Sequence, residues 1–233
     1  RENQFVPTNI ISLLKDAIVE ENDDYIAINK PEGIASHGGS GISIGVIETI
    51  RNFGKAYRDA KLVHRLDKDT SGCQIIAKNN KFLRRCNKLI SERKIIKTYQ
   101  AIVYGNWIHN DGLYEINIKK NMLFGKERMV KISEGGKIAK TFFQAIESSS
   151  HFSLIQCELV TGRTHQLRVH LSYLGFPIVG DNKYGLKDIR LSKDSSYKKR
   201  MYLHANSFIS KDLNIHLNVK SPKEFKKILK NDE

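Results

Sequence analysis

Three things are scarce in this 233-residue sequence: paired cysteines, long apolar runs and acidic side chains. Cys73, Cys86 and Cys157 are odd in number and form no C-x-x-C pair, so neither a disulfide framework nor a cysteine zinc site is indicated. No two histidines have H-x-x-x-H spacing, and neighbouring arginines oppose a bound cation. We therefore expect reduced thiols and no metal.

The absence of a long apolar run bears on where the protein acts. No segment approaches the roughly 20 apolar residues of a membrane-spanning helix, and no secretory signal stands near Arg1. Lys and Arg number 39 against 25 Asp and Glu, a net charge of +14. This excess indicates a polyanionic partner, either nucleic acid or an anionic membrane surface. We favour nucleic acid, with no membrane association, and expect a cytoplasmic protein.

The segment KLVHRLDKDTSG, residues 61–72, places an aspartate among cations. Asp67 and Asp69 copy the opening of a calcium-binding loop, but position twelve of such a loop requires Glu and is Lys78 here. The nearby Arg65 would also repel a divalent ion. Two interpretations of Asp67 remain open: a carboxylate that caps a turn, or an ionised nucleophile beside Arg65.

Hydrophobic periodicity predicts an α+β fold. Strands are indicated by segments that include YIAINKP, CQIIAKN, IIKTYQAIVYG and FSLIQCELV, so Asp67 falls on the loop before a strand. In IIKTYQAIVYG, period-two alternation places Lys97 and Tyr99 on one face. Residues 81–93 have helical spacing with a basic face. No element is predicted before Asp24, and the irregular mixture of strands with few helices indicates a largely antiparallel mixed sheet with flanking helices.

The segment TGRTHQLRVHLSYLGFP, residues 161–177, predicts a helix that begins among basic residues and ends at Gly175. The residues from Arg163 to Arg168 have two open interpretations. They form a solvated basic face, or they bind phosphates at the helix N-terminus.

Four segments, INKPEGIASHGG, HRLDKDTSG, KTYQAIVYG and VTGRTHQLRVHLSYLGFPIVGDNKYG, together resemble the RluA family of pseudouridine synthases and follow its order. They span residues 28–185. HGGSG and GVIE favour the subgroup that acts on the large ribosomal subunit. The resemblance implies the pseudouridine synthase fold and an isomerase that converts uridines of large-subunit (23S) ribosomal RNA to pseudouridine by base flipping. It also implies a monomer that needs no cofactor.

The resemblance further implies roles for single residues. Asp67 corresponds to the catalytic aspartate, and Arg65 to an arginine that fills the space of the flipped base. Tyr99 corresponds to a tyrosine that stacks on the uracil and is proposed as a base at the sugar. Arg168 corresponds to the basic residue that pairs with the catalytic aspartate. Supporting substrate contacts are expected from His64, Lys97, Arg163, Thr164 and His165.

Members of this subgroup usually carry an S4-like RNA-binding domain before the catalytic domain, and no segment before Ile26 is long enough for one. We therefore expect residues 1–20 to be a linker or N-terminal extension and residues 21–233 to be the catalytic domain. Two other classes of protein stay open. One is a non-enzymatic RNA-binding protein of ribosome assembly, and the other is a retaining glycosidase or base-excising glycosylase, which needs a second carboxylate.

Overall fold

The computed structural model describes residues 6–39, 44–124, 127–185 and 200–230. The helices described there are α1 (Thr8–Asp16), α2 (Val46–Arg51), α3 (Asn80–Ser91), α4 (Gln166–Tyr173) and α5 (Lys223–Lys230). The strands are β1 (Ile18–Glu21), β2 (Tyr25–Lys30), β3 (Lys61–Leu62), β4 (Ser71–Ala77), β5 (Ile96–Tyr104), β6 (Gly112–Phe124), β7 (Glu127–Ile132), β8 (Lys137–Ser148), β9 (Phe152–Leu159), β10 (Leu203–Ser210) and β11 (Ile215–Asn218). The predicted α+β class is confirmed.

The chain forms two compact units, a first unit of residues 1–95 and 204–220 and a second unit of residues 96–203 and 221–233. In the first unit the strand order is β1-β2-β4-β10, with β3 paired to β4 and β11 paired to β10. Strands β4 and β10 are parallel, whereas the other pairs of this unit are antiparallel.

Helices cover both faces of this first sheet. Alternate residues of β2 point to opposite sides, so Tyr25 packs with Phe82 of α3 while Ile26 packs with Leu14 of α1 and Val46 of α2. The rings of Tyr25 and Phe82 stack with centroids 5.1 Å apart. Because both faces are covered, every residue of β4 is buried and its sequence is apolar or small nearly throughout.

Residues 6–23 are folded, contrary to the expectation that no element precedes Asp24. They contain α1 and β1, and Leu14 is fully buried in the first unit. The helix was not predicted because Leu13 on the same segment is exposed, which blurs the apolar stripe. The expected division into residues 1–20 and 21–233 concerns domain organisation and stays an expectation.

The second unit contains an antiparallel sheet in the order β5-β9-β8-β6-β7. The strands predicted from IIKTYQAIVYG and FSLIQCELV are confirmed as β5 and β9. Val169 of α4 packs on this sheet with Ile118, Val130 and Ala139. At the other end of α4, Gly175 has φ +88°, a left-handed conformation that suits glycine after a helix, as predicted.

The cysteines are buried free thiols. Burial raises the pKa of Cys73 to about 12 and that of Cys86 to about 11. Burial also raises the pKa of Cys157.

Strands β4 and β10 approach each other closely at Gly72. Its φ is +111°, and it lies opposite Ala205 in the parallel pairing. A Cβ at position 72 would collide with the carbonyl oxygen of Ala205 and lie 2.7 Å from its nitrogen. Only glycine satisfies both the backbone conformation and the space.

We predict that Gly72→Ala lowers the free energy of unfolding by about 3 kcal/mol, since it combines a disfavoured φ with a backbone collision. Urea denaturation measures this difference. The matched control is Gly112→Ala at the start of β6, where no atom stands within 4 Å of an added Cβ. This control should change stability by less than about 1 kcal/mol. Equal effects of the two substitutions would contradict the close approach of β4 and β10.

Candidate active site

Asp67 lies on the loop that joins β3 to β4, as predicted. The residue before it, Leu66, and Thr70 at the end of the loop are both buried, whereas Asp67 itself is partly exposed. The flanking residues therefore anchor the loop in the first unit and leave Asp67 partly exposed.

Ser36 holds this loop in place from residues 31–39, which follow β2, contain three glycines and are called the glycine-rich segment. Its Oγ donates a hydrogen bond to the carbonyl of Leu66 at 2.7 Å and accepts one from the Leu66 N–H at 2.9 Å. The side-chain amide of Gln74 donates to the same Oγ at 2.9 Å and to the carbonyl of His64 at 3.2 Å. Ser36 and Gln74 thus fix the main chain of Leu66 and His64, just before Asp67.

Lys30, the last residue of β2, is fully buried beneath the same loop. Its Nζ donates to the carbonyls of Pro31 at 2.7 Å, Ile34 at 2.8 Å and Lys68 at 3.1 Å. An ammonium group has three N–H donors, so it can bond all three carbonyls at once. Lys30 therefore ties the glycine-rich segment to the residue that follows Asp67.

The turn at Asp67 is closed by the main chain. The N–H of Thr70 donates to the carbonyl of Asp67 at 3.1 Å. The main chain thus closes this turn, and the two interpretations of the Asp67 carboxylate, a capping group or a nucleophile, stay open.

Arg65 is exposed on the same loop and contacts His37 of the glycine-rich segment. The distance from Nη1 of Arg65 to Nε2 of His37 is 2.7 Å, and Nδ1 of His37 lies 2.5 Å from the carbonyl of Gly38. A carbonyl only accepts, so Nδ1 carries the hydrogen and Nε2 accepts from Arg65. Sequence reasoning did not assign this role to His37.

His64 faces the interior of the first unit. Its Nε2 accepts from the N–H of Ile75 at 3.2 Å, and its ring stacks on Phe208 at 5.3 Å. These contacts explain the position of the ring without a ligand. The predicted substrate contact of His64 stays a prediction.

The other predicted residues lie in the second unit. Tyr99 is buried on β5 opposite Cys157 of β9, and Lys97 precedes it by two residues on the same strand. Burial lowers the pKa of Lys97. A cation whose charged form is disfavoured in this way is stabilised by an anion, which suits the expected contact with RNA.

The loop before α4 carries Arg163 and Thr164 and is ordered by Gln166. The Gln166 oxygen accepts from the Thr161 hydroxyl at 2.8 Å and from the Arg163 N–H at 2.9 Å. Its amide group donates to the carbonyl of Lys140 at 2.9 Å. Arg163 is exposed, and its Nε donates to a main-chain carbonyl of β8 at 3.2 Å. Thr164 is partly exposed in the same loop.

His165 immediately precedes α4 and has a left-handed conformation, with φ +52°. Its Nδ1 lies 2.8 Å from the hydroxyl of Tyr184, which also accepts the N–H of Val130 at 3.0 Å. A left-handed conformation is uncommon outside glycine and occurs where surrounding contacts fix it. Tyr184 supplies such a contact for His165.

Arg168 on α4 forms a buried bidentate ion pair with Asp181. Its Nε donates to Oδ2 at 2.7 Å, and its Nη2 donates to Oδ1 at 2.8 Å. Burial opposes the charge on Asp181, but the hydrogen bonds and charge of Arg168, with the N–H groups of Tyr184 and Lys183, lower its pKa overall. The two hydrogen bonds fix the plane of the Arg168 guanidinium. The expected pairing of Arg168 with Asp67 stays a prediction.

Sequence reasoning missed Asp181, although VGDNKYG was among the segments that resembled the family. The sequence signal was a single acidic residue after a glycine in a loop, and only the structure gives it a partner. Within the described ranges, no group of three His, Cys, Asp or Glu side chains could hold a metal ion. No helix in the same ranges is long and apolar enough to cross a membrane.

A family model described as RNA pseudouridylate synthase matches residues 24–173, more than half of the chain. The chain belongs to this family. It is 40% identical over 209 residues to "Ribosomal large subunit pseudouridine synthase C" of Salmonella typhi, and 42% identical over 199 residues to the protein of that name from Haemophilus influenzae. The alignments cover 88% and 85% of this chain, and 66% and 62% of the relatives. The chain therefore spans slightly less than two thirds of the relatives' length. The family predicted from the sequence is confirmed, and the chain is similar to members of the predicted subgroup.

Solved structures of the family have the same fold. "Human RNA Pseudouridylate Synthase Domain Containing 4" matches with a TM-score of 0.77 at 26% identity, covering 94% of this chain and 93% of that one. "Human RNA Pseudouridylate Synthase Domain Containing 1" matches with a TM-score of 0.74 at 27% identity, covering 91% and 85%. The predicted pseudouridine synthase fold is thereby confirmed.

His170 of α4 and Asp181 both make the stability of the fold depend on pH in the acid range, but the fold favours the neutral form of one and the ionised form of the other. Burial lowers the pKa of His170 from 6.5 to about 4, with a partial opposing effect from the main chain of Ala139. The folded state therefore needs neutral His170, whereas it needs ionised Asp181, whose pKa is lowered from 3.8. Between pH 6.5 and 4 the unfolded chain binds the extra proton at His170, so stability falls as the pH falls through this window. Asp181 adds its own loss below about pH 4.

Between pH 6.5 and pH 4 the free energy of unfolding of the parent falls. We predict that in His170→Leu this decrease is smaller, by up to about 3 kcal/mol. Urea denaturation at a series of pH values measures this slope. His216→Gln, at an exposed position, is the control and should leave the slope unchanged. A slope in His170→Leu equal to that of the parent would show that His170 is not the titrating group.

Proposed function

We propose that this chain converts uridines of large-subunit ribosomal RNA to pseudouridine. The substrate class comes from the relatives, which are named as ribosomal large subunit pseudouridine synthases. The net charge of +14 supports it, because a polyanionic substrate is attracted to a basic protein. We further propose that the chain acts as a cytoplasmic monomer.

The observation that carries the proposal is the anchored loop of Asp67. Ser36, Lys30 and Thr70 hold its main chain through separate hydrogen bonds, while the carboxylate stays partly exposed. A reacting group held in one geometry avoids the entropic cost of positioning it during each turnover. An exposed acidic side chain on a loop of an RNA-binding protein would repel phosphates, so a protein that only binds RNA gains nothing from it.

In the proposed reaction the carboxylate of Asp67 acts at C1′ of the uridine. The bond between N1 and C1′ breaks, and its electron pair leaves with the uracil. The uracil turns and C5 forms the new bond to C1′, after which the proton on C5 is lost and N1 gains one. The atoms of substrate and product are the same, so no cofactor is required. An ester at C1′ and a glycal formed by loss of the C2′ proton are both consistent with this scheme.

The remaining residues are assigned supporting roles. Arg65 fills the space that the base vacates, which offsets part of the cost of unstacking. Tyr99 is assigned to stack on the uracil and to act as the base at the sugar. Arg168 is proposed to pair with the ionised carboxylate of Asp67. Further substrate contacts are assigned to His64, Lys97, Arg163, Thr164 and His165.

One assay separates this function from its competitors. RNA labelled with tritium at C5 of uridine is incubated with the protein, and tritium release and free uracil are both measured. An isomerase releases tritium and no uracil, since the base is reattached. A glycosylase would release uracil, and a protein that only binds RNA would release neither. Either of the last two results would overturn the proposal.

We predict that Asp67→Asn lowers tritium release by roughly a thousandfold or more, because a neutral amide neither attacks C1′ nor stabilises positive charge there. The thermal stability and RNA affinity of this variant should stay close to those of the parent. Asp69→Asn, the same change at an exposed position two residues later, is the control and should keep its activity. Activity of Asp67→Asn within tenfold of the parent would disprove the role of Asp67.

We predict that Arg65→Ala slows turnover on base-paired RNA by roughly tenfold or more, since part of the unstacking cost is no longer offset. RNA whose target uridine is already unpaired should restore much of this rate. Lys68→Ala removes the same charge from the same loop at an exposed position and should show no such difference. The decisive quantity is the ratio of rates on unpaired and paired RNA. A ratio in Arg65→Ala no higher than in the parent would show that Arg65 does not fill the stack.

A further inference from the structure

Helix α3 presents an exposed row of cations outside the loop of Asp67. Lys81, Arg84, Arg85 and Lys88 follow the spacing i, i+3, i+4 and i+7, so they form one stripe about 10 Å long, called the basic stripe here. The opposite face of the helix packs into the first unit through Phe82, Cys86 and Leu89. The row is therefore fixed to a rigid element.

The charges of the basic stripe destabilise the helix that carries them. Lys81 with Arg85, and Arg84 with Lys88, are like-charge pairs at i and i+4, which oppose helix formation. The first turn of α3 has no acidic residue, so Lys81 stands against the positive end of the helix dipole. A helix face selected only for solvation would alternate charges of opposite sign. A polyanion bound along the stripe removes both penalties.

Acidic neighbours neutralise little of this charge. Glu92 lies beyond the helix end, 3.0 Å from Lys94 and 3.9 Å from Lys88. Arg85 donates to the main-chain carbonyl of Asp212 at 3.2 Å. Among residues 6–39, 44–124, 127–185 and 200–230, Lys81 and Arg84 have no ion pair within 4 Å.

The anchoring of α3 decides between two anionic partners. A helix that binds a membrane surface inserts its apolar face into the lipid. The apolar face of α3 is already buried against the sheet, where Phe82 stacks on Tyr25, so it cannot insert without unfolding the first unit. A basic stripe on a packed helix suits the sugar-phosphate backbone of RNA, which needs only charge and hydrogen-bond donors.

We propose that the basic stripe binds backbone phosphates of the substrate RNA outside the uridine that reacts at Asp67. This inference rests on the proposed function for the identity of the RNA. Helix α3 contacts β3 and β4, the strands at the two ends of the Asp67 loop. The stripe and the loop thus share one scaffold, and phosphate binding at the stripe adds affinity without sequence selectivity.

The test is a triple variant, Lys81→Gln, Arg84→Gln and Lys88→Gln, which leaves Arg85 and its main-chain hydrogen bond in place. The matched control removes three charges from α5 through Lys223→Gln, Lys226→Gln and Lys227→Gln, all at exposed positions. Binding of a single-stranded, uridine-containing ribosomal RNA fragment is measured over a range of salt concentrations. The melting temperature of the α3 variant should change little, because its substitutions remove like-charge repulsion and only one long, exposed ion pair, that of Lys88 with Glu92.

The expected result is a decrease of about 2 in the slope of log affinity against log salt for the α3 variant, or about 0.7 for each phosphate that the variant no longer binds. Tritium release should show a higher KM with little change in kcat. Equal loss of affinity in the α3 and α5 variants would show a general charge effect and overturn the proposal. It would equally be overturned if the α3 variant lost binding to anionic phospholipid vesicles while keeping its RNA affinity.

Failure of the proposed function gives a different result. If the parent releases no tritium but the α3 variant alone loses RNA affinity, the basic stripe stands as an RNA-binding surface and the isomerase assignment falls. Should the triple variant unfold, the single variant Arg84→Gln provides the same comparison against Lys226→Gln. The expected decrease in slope is then about 0.7.

Discussion

The position of Asp67 depends above all on one buried cation. Lys30 ends a central strand and has no exposure to solvent, and its ammonium bonds to two carbonyls of the segment after β2 and to one carbonyl of the Asp67 loop. Burying an ammonium is costly unless its donors are bonded. The loop conformation that satisfies Lys30 is therefore the one that presents the carboxylate. If the two segments moved apart, the buried ammonium would lose its hydrogen bond to Lys68.

Much of the fold could be predicted from the sequence because the apolar pattern of each strand reflects which of its faces are buried. In β2, Tyr25 and Ala27 meet one core while Ile26 and Ile28 meet the other, so an apolar run indicated a strand covered on both faces. Helix α1 escaped prediction because its apolar residues include an exposed leucine. The division into two compact units was not predicted, since the first unit is completed by residues 204–220, far along the chain.

The candidate site was predictable where its residues are close in sequence and unpredictable where partners are distant. Asp67 and Arg65 both belong to the segment HRLDKDTSG. The position of Asp67 on a loop could be predicted because a strand, CQIIAKN, follows that segment. The hydrogen bond between Lys30 and Lys68 spans 38 residues, and the ion pair of Arg168 with Asp181 joins a helix to a later loop. Periodicity contains no information about such pairs, because they depend on how elements pack rather than on local spacing.

The burial of Cys73, Cys86 and Cys157 has a consequence for experiments on this protein. A raised thiol pKa leaves little thiolate at neutral pH, and thiolate is the form that reacts with maleimides and oxidants. A single cysteine introduced at an exposed position, such as Asn87 of α3, would therefore react far faster than the native thiols. A fluorescent or spin label could be attached there with the native cysteines in place, and its distance to a labelled RNA could be followed during binding.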